Sequence, residues 1–147
     1  MTFFADLFGL KPKPVPVIII RNRLGDEIDR VEGVRDLWGQ DLRHRQWPHA
    51  DLSKVSLAGA NCEGINLFGA RLERTDFSHA VLKNAELSFS YTAGACFRNA
   101  DLRGCSLYMS QTGWPRNRQY AAAEFDGALL DEASDVPEHK AYRQMKW

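Results

Sequence analysis

From residue 41 to about residue 110 the apolar and polar positions of the chain recur every five residues. Positions whose number ends in 2 or 7 read Leu42, Trp47, Leu52, Leu57, Cys62, Leu67, Leu72, Phe77, Leu82, Leu87, Thr92, Phe97, Leu102 and Leu107, and 11 of these 14 are Leu or Phe. Two positions before each, from Ala50 to Cys105, every residue is small or β-branched. The position between them is often Asp or Asn (Asp41, Asp51, Asn61, Asn66, Asp76, Asp101), and the two after the large residue are mostly polar or Gly. A period of five fits neither the 3.6 of a helix nor the 2.0 of a flat strand, so the chain has to turn a corner in every unit. Short extended segments stacked at strand spacing, about 4.8 Å, satisfy that demand. The large residue fills the middle of a side, and the small one fits where the interior narrows.

Units such as Ala50-Asp51-Leu52, Ala60-Asn61-Cys62 and Ala100-Asp101-Leu102 resemble the pentapeptide-repeat family. The resemblance implies an all-β fold, a right-handed quadrilateral β-helix of about four coils with four units per coil. It also implies that the Leu/Phe and the small position point inward and the other three outward. Gln40 and Arg45 at small positions and Trp47 at a large one imply that the first coil departs from regular geometry. The rhythm breaks after Gln111 and resumes in a new phase at Ala123-Glu124-Phe125 and Ala128-Leu129-Leu130, which marks residues 113–122 as a loop ejected from the last coil.

Before the repeats, Val15 to Arg23 and Glu27 to Val31 are β-rich runs around Leu24-Gly25-Asp26-Glu27, a hairpin placed to cover the first coil. The division expected is an N-terminal arm at 1–16, a hairpin cap at 17–36, the β-helix at 37–133 and a tail at 134–147. In the arm, Lys11-Pro12-Lys13-Pro14-Val15-Pro16 is an extended spacer behind Phe3, Phe4, Leu7, Phe8 and Leu10. The arm either folds back on the coil or docks elsewhere.

At 147 residues there is room for one modest core, and 19 Lys+Arg against 19 Asp+Glu leave no global field to attract nucleic acid. Direct nucleic-acid binding is therefore not expected. The longest apolar run, Val15 to Ile20, is far short of the roughly 20 residues of a membrane span. The start lacks a basic leader and the three cysteines, Cys62, Cys96 and Cys105, form neither a disulfide framework nor a zinc motif, so a cytoplasmic protein is expected. No nucleophile, phosphate loop or metal motif converges, so neither an enzyme nor a cofactor is expected. His44, His49 and His79 fall on outward positions as solvated side chains.

With residues twenty apart stacked on one face, Arg43, Glu63, Lys83 and Arg103 form a column of mixed sign, a solvated face that suggests a ladder of surface ion pairs. The neighbouring face gathers Phe68, Phe89, Tyr108 and Met109, where the family pattern expects polar residues or Gly. Contiguous apolar surface of this kind marks an interface unless the chain covers it itself. The leading function is a non-catalytic protein–protein interaction module, a scaffolding or structural subunit of a cellular complex or virion, or a self-associating one. Its contact residues are Phe68, Phe89, Tyr108 and Met109 on the coil, Phe3, Phe4 and Phe8 on the arm, and Trp114 on the loop. Membrane-surface contact through the arm is a weaker alternative. A second is the DNA mimicry of gyrase-protecting pentapeptide proteins, disfavoured because residues 41–112 hold eight basic and seven acidic side chains.

Overall fold

The five-residue unit answers a hydrogen-bond question: where does each backbone N–H go once the chain turns a corner every few residues? In the computed structural model, which describes residues 15–111 and 123–130, the unit Asn66 to Ala70 gives the answer. The Asn66 N–H donates back one coil to the Arg45 carbonyl (2.9 Å), while Leu67 and Gly69 donate forward to the Glu86 and Ser88 carbonyls (2.7 and 2.9 Å). The Ala70 N–H closes a β-turn on the Leu67 carbonyl at 3.0 Å. The fifth donor, the Phe68 N–H, is taken by the Asn66 side-chain Oδ1 at 3.0 Å. That last bond explains the recurrent Asp or Asn: a short side-chain acceptor two residues before an otherwise orphaned donor completes the set. Asn61, Asp76 and Asp101 do the same for Glu63, Ser78 and Arg103.

The third residue of each turn takes a positive φ, from +52° at Met109 to +65° at Lys54 among the non-glycine cases. Four such corners return the chain to its starting side, so parallel bridges recur at a twenty-residue stride and make four sides. Side one runs through Asp41, Asn61, Val81, Asp101 and Leu129, and side two through Gln46, Asn66, Glu86 and Ser106. Side three runs through Asp51, Arg71, Tyr91 and Gln111, and side four through Ser56, Asp76, Cys96 and Glu124. On side four the stride lengthens to 28 between Cys96 and Glu124, because residues 112–122 intervene, and the register is nevertheless recovered.

The large and small inward residues form one continuous core. On side four Phe77, Phe97 and Phe125 stack nearly parallel, at 5.1 Å and 4.9 Å between ring centres. Two polar residues at inward positions are satisfied locally: Thr75 Oγ1 donates to the Leu52 carbonyl and Ser90 Oγ to the Leu87 carbonyl. Of the inward thiols, burial pushes Cys62 up to about 12 and Cys105 higher still, with Asp41 and Glu86 adding to the effect.

The N-terminal runs form an antiparallel hairpin of β1 (Val17–Arg21) and β2 (Glu27–Glu32), with Gly25 at φ +90° in the turn. β1 is shorter than the run from Val15 to Arg23. Pro16 has no N–H to give a ladder, and beyond Arg21 the chain leaves β2 to pair with the coil through Asn22 and Ala50. Ile20 and Val31 are buried against the first coil, and Asp51 N–H donates to the Arg21 carbonyl.

The expectation that the first coil departs from regular geometry is not met: Asp41 and Gln46 bridge to Asn61 and Asn66 in the ordinary register. The misfit residues are accommodated by the hairpin instead. Asp29 accepts the Trp47 Nε1–H at 2.6 Å and pairs with Arg45 at 2.9 Å, so Trp47 is fully buried and the Arg45 guanidinium turns out of the core. The arm, the loop at 113–122 and the tail lie outside the described residues.

Candidate interaction surface

Side two carries the large apolar side chains that the twenty-residue stride lines up. Phe68, Phe89, Tyr108 and Met109 are 38%, 45%, 54% and 59% exposed. Three of them, with His49 at the foot, form a staggered aromatic stair along the coil axis. Ring centres lie 5.7 Å apart from His49 to Phe68, 5.4 Å from Phe68 to Phe89, and 5.8 Å from Phe89 to Tyr108. The first and last are edge-on contacts and the middle one is tilted, geometries that the aromatic quadrupole favours by about 0.5–1.5 kcal/mol per pair.

The stagger depends on small residues in the vacant places. Each coil offers two outward positions here, the second and third residues of the turn. Phe68 uses the first, Phe89 the second, and Tyr108 the first again; Gly69 and Ser88 occupy the places between. A Cβ on Gly69 would lie 2.6 Å from His49 Nδ1, so the glycine lets His49 lean against Phe68. Ser88 is buried, its Oγ 2.7 Å from Ser106 Oγ.

Backbone conformation adds to the argument. Phe89 and Met109 sit at φ +58° and +52°, a region that costs a side chain with a Cβ roughly 1–2 kcal/mol relative to the right-handed alternative. Of the nine described non-glycine residues with positive φ, only these two are apolar. Strained, exposed and apolar at once, they are placed where neither the fold nor solvent favours them.

Around the foot of the stair, Arg23 of the hairpin lies 3.4 Å from His49 Nδ1 and stacks over the Tyr91 ring at 5.5 Å. His49 is thus exposed but not free-standing, and Arg23 was invisible to the repeat pattern because it belongs to another element. Among the outward row residues of side two, Glu86 carries the one carboxylate, beside Gln46, Asn66 and Ser106.

Side one does not form the expected ladder of rung-to-rung pairs along Arg43, Glu63, Lys83 and Arg103. Arg43 and Arg103 fold back within their own units onto Asp41 and Asp101, at 2.7 and 2.6 Å, and Lys83 reaches Asp101 at 3.5 Å. Residues two apart across a turn present their side chains to each other, and a carboxylate there is nearer than the next rung. The Arg43 guanidinium holds the Asp41 carboxyl down to about 2, helped by the Arg43 backbone N–H.

The structure brings Phe68, Phe89, Tyr108 and Met109 to one side. Phe3, Phe4, Phe8 and Trp114 lie outside the described residues. Cys96 is half-buried on side four and unbridged.

The pentapeptide-repeat family model matches residues 41–74 and 60–108, in eight copies. Among solved structures, the chain is similar to Rfr23, a pentapeptide-repeat protein of the cyanobacterium Cyanothece 51142, at 26% identity and a TM-score of 0.51, covering 64% of this chain and 62% of that one. A pentapeptide-repeat protein of the Arabidopsis thaliana thylakoid lumen matches at 24% identity and a TM-score of 0.46, over 73% of this chain and 74% of its own. HetL, involved in heterocyst differentiation regulation in Nostoc sp. strain PCC 7120, matches at 27% and 0.46, over 65% of this chain and 37% of its own. No curated protein sequence matches the chain. Unit, turn, stride and family match agree: residues 41–108 are pentapeptide repeats, and they wind as a four-sided β-helix.

Proposed function

We propose that this protein is a non-catalytic interaction module, a scaffolding or structural subunit that docks a partner protein on side two of its coil. The observation that carries the reading is the aromatic stair, with Phe89 and Met109 held exposed in a strained backbone region. A rigid coil whose backbone donors are satisfied within the repeat makes a flat, preorganised platform, which lowers the ordering cost of association. Aromatic side chains supply large contact area at low entropic cost, the usual anchor of a protein interface. The free thiols Cys62, Cys96 and Cys105 fit a reducing compartment such as the cytoplasm.

The test is the double variant Phe68→Lys/Phe89→Lys, tagged and recovered from its native source beside the wild type. Circular dichroism should show the coil intact, and stoichiometric partners held by the wild type should be lost. Retention of every partner by a folded variant removes the stair from the interface.

A further inference from the structure

A proline confines the residue before it to extended backbone. In Lys11-Pro12-Lys13-Pro14-Val15-Pro16 every second residue is proline, so Lys11, Lys13 and Val15 are all confined and the stretch resists a reversal of direction. It feeds β1, whose course is fixed at both ends: the Pro16 carbonyl accepts the Gly33 N–H and the Arg21 carbonyl accepts the Asp51 N–H, both at 2.8 Å. The Arg21 end is the one beside the stair, because the Arg23 N–H goes to the His49 carbonyl at 3.2 Å. Followed backwards, the chain therefore leaves the stair, by roughly 13 Å along β1 and by up to roughly 19 Å along the spacer. Residues 1–10 are launched away from the stair of their own chain.

Those residues carry a periodicity that the stair fits. Phe3 and Leu7, and likewise Phe4 and Phe8, are pairs four apart, which a helix sets on one stripe about 6 Å apart along its axis. The steps of the stair are 5.7, 5.4 and 5.8 Å between ring centres. Thr2 suits the N-cap of such a helix and Gly9 its C-terminal stop, so the stripe is bracketed at both ends. Asp6 borders the stripe, and Arg23, 3.4 Å from His49 at the foot of the stair, offers it a countercharge. A helix this short does not hold in water by itself and forms on a surface that buries its stripe. The stair is such a surface, since within a single chain Phe68 is 38% exposed, Phe89 45%, Tyr108 54% and Met109 59%.

We infer that the stair receives residues 2–9 of a second copy of this chain, folded on it as an amphipathic helix. Phe3 and Phe4 lie on one step and Leu7 and Phe8 on the next, in the manner of a helix seated by residues one turn apart. The inference rests on the interaction reading above and names the partner as the protein itself. Reciprocal exchange of arms between two copies closes the assembly and leaves neither stair empty.

The test is sedimentation of the full chain over a range of concentrations. The wild type should approach twice the monomer mass as concentration rises. Phe4→Asp/Phe8→Asp on the arm and Phe68→Lys/Phe89→Lys on the stair should each weaken association at least tenfold. Phe89→Gly guards against misfolding, because glycine suits the φ of +58° there: it should weaken association without lowering the melting temperature. Mixed together, the arm variant and the stair variant should pair one to one, since each keeps the half that the other lacks. A wild type that stays monomeric, a dimer that survives either double variant, or variants that do not pair when mixed would overturn the inference. A monomer whose arm amides are protected from hydrogen exchange would overturn it in favour of the chain's own stair, and a monomer that floats with anionic vesicles in favour of a membrane surface. If the chain is monomeric while Phe68→Lys/Phe89→Lys still loses the partners recovered from the native source, the interaction reading stands and docking of a second copy alone is lost.

Discussion

An aspartate or asparagine in this coil stands in for a missing backbone carbonyl. Asp76 is an example: its Oδ1 accepts the Ser78 N–H at 2.9 Å, the donor that no neighbouring coil reaches. Asp76→Ala should cost about 1 kcal/mol in urea denaturation, and Asp76→Asn, which keeps the acceptor, much less. Asp41 adds a charge-dependent version. Its carboxyl drops from 3.8 to about 2 beside Arg43. A carboxylate with a depressed folded value stabilises above its unfolded value, and that stability disappears as the pH falls through the folded one. Asp41 should therefore contribute fully above pH 4 and progressively less down to pH 2. Asp41→Asn should flatten that segment of a stability–pH profile and leave the neutral range nearly parallel to the wild type.

At the level of the element, one side chain of the hairpin secures the two misfit residues of the first coil. Asp29 receives both Trp47 Nε1–H and Arg45. Asp29→Ala would leave the indole donor buried and unpaired, and should lower stability by about 2 kcal/mol with faster amide exchange in the first coil. Both strands are legible in the sequence as β-rich runs. The bond that secures them is not, since Asp29 and Trp47 lie on different elements and no periodicity links them. Trp47 and Arg45 registered only as misfits to the repeat. The sequence reading assigned the strain of that misfit to the coil, whereas the hairpin absorbs it. The ion pairs on side one failed similarly: columns are set by the twenty-residue stride, but a flexible arginine chooses the nearest carboxylate, and that choice is made within the unit.

Across the whole molecule, stability should be shared along the axis, because each coil is bonded mainly to its neighbours. Phe97 lies between Phe77 and Phe125 and is wholly buried, so Phe97→Ala should cost about 3–5 kcal/mol. Calorimetry would check the loss, and residue-level exchange should place its largest effects on the flanking coils. The fold was legible because its period is short, repeated many times and incompatible with helix or flat sheet. Much of the surface was legible too, since the stride alone brings Phe68, Phe89, Tyr108 and Met109 together. The stagger was not, because it depends on Gly69 and Ser88 leaving space, a matter of volume rather than period.

The stride of 28 between Cys96 and Glu124 has a bearing on how such a coil changes over time. Chain length there is free: the rows on either side keep their registry although residues 112–122 lie between them in sequence. The described corners share one turn geometry with a positive φ at the third residue, so each is a graft point at which a loop of new chemistry is added or exchanged without renegotiating the core. Novelty in this architecture accumulates at corners while the sides conserve the shape that presents it.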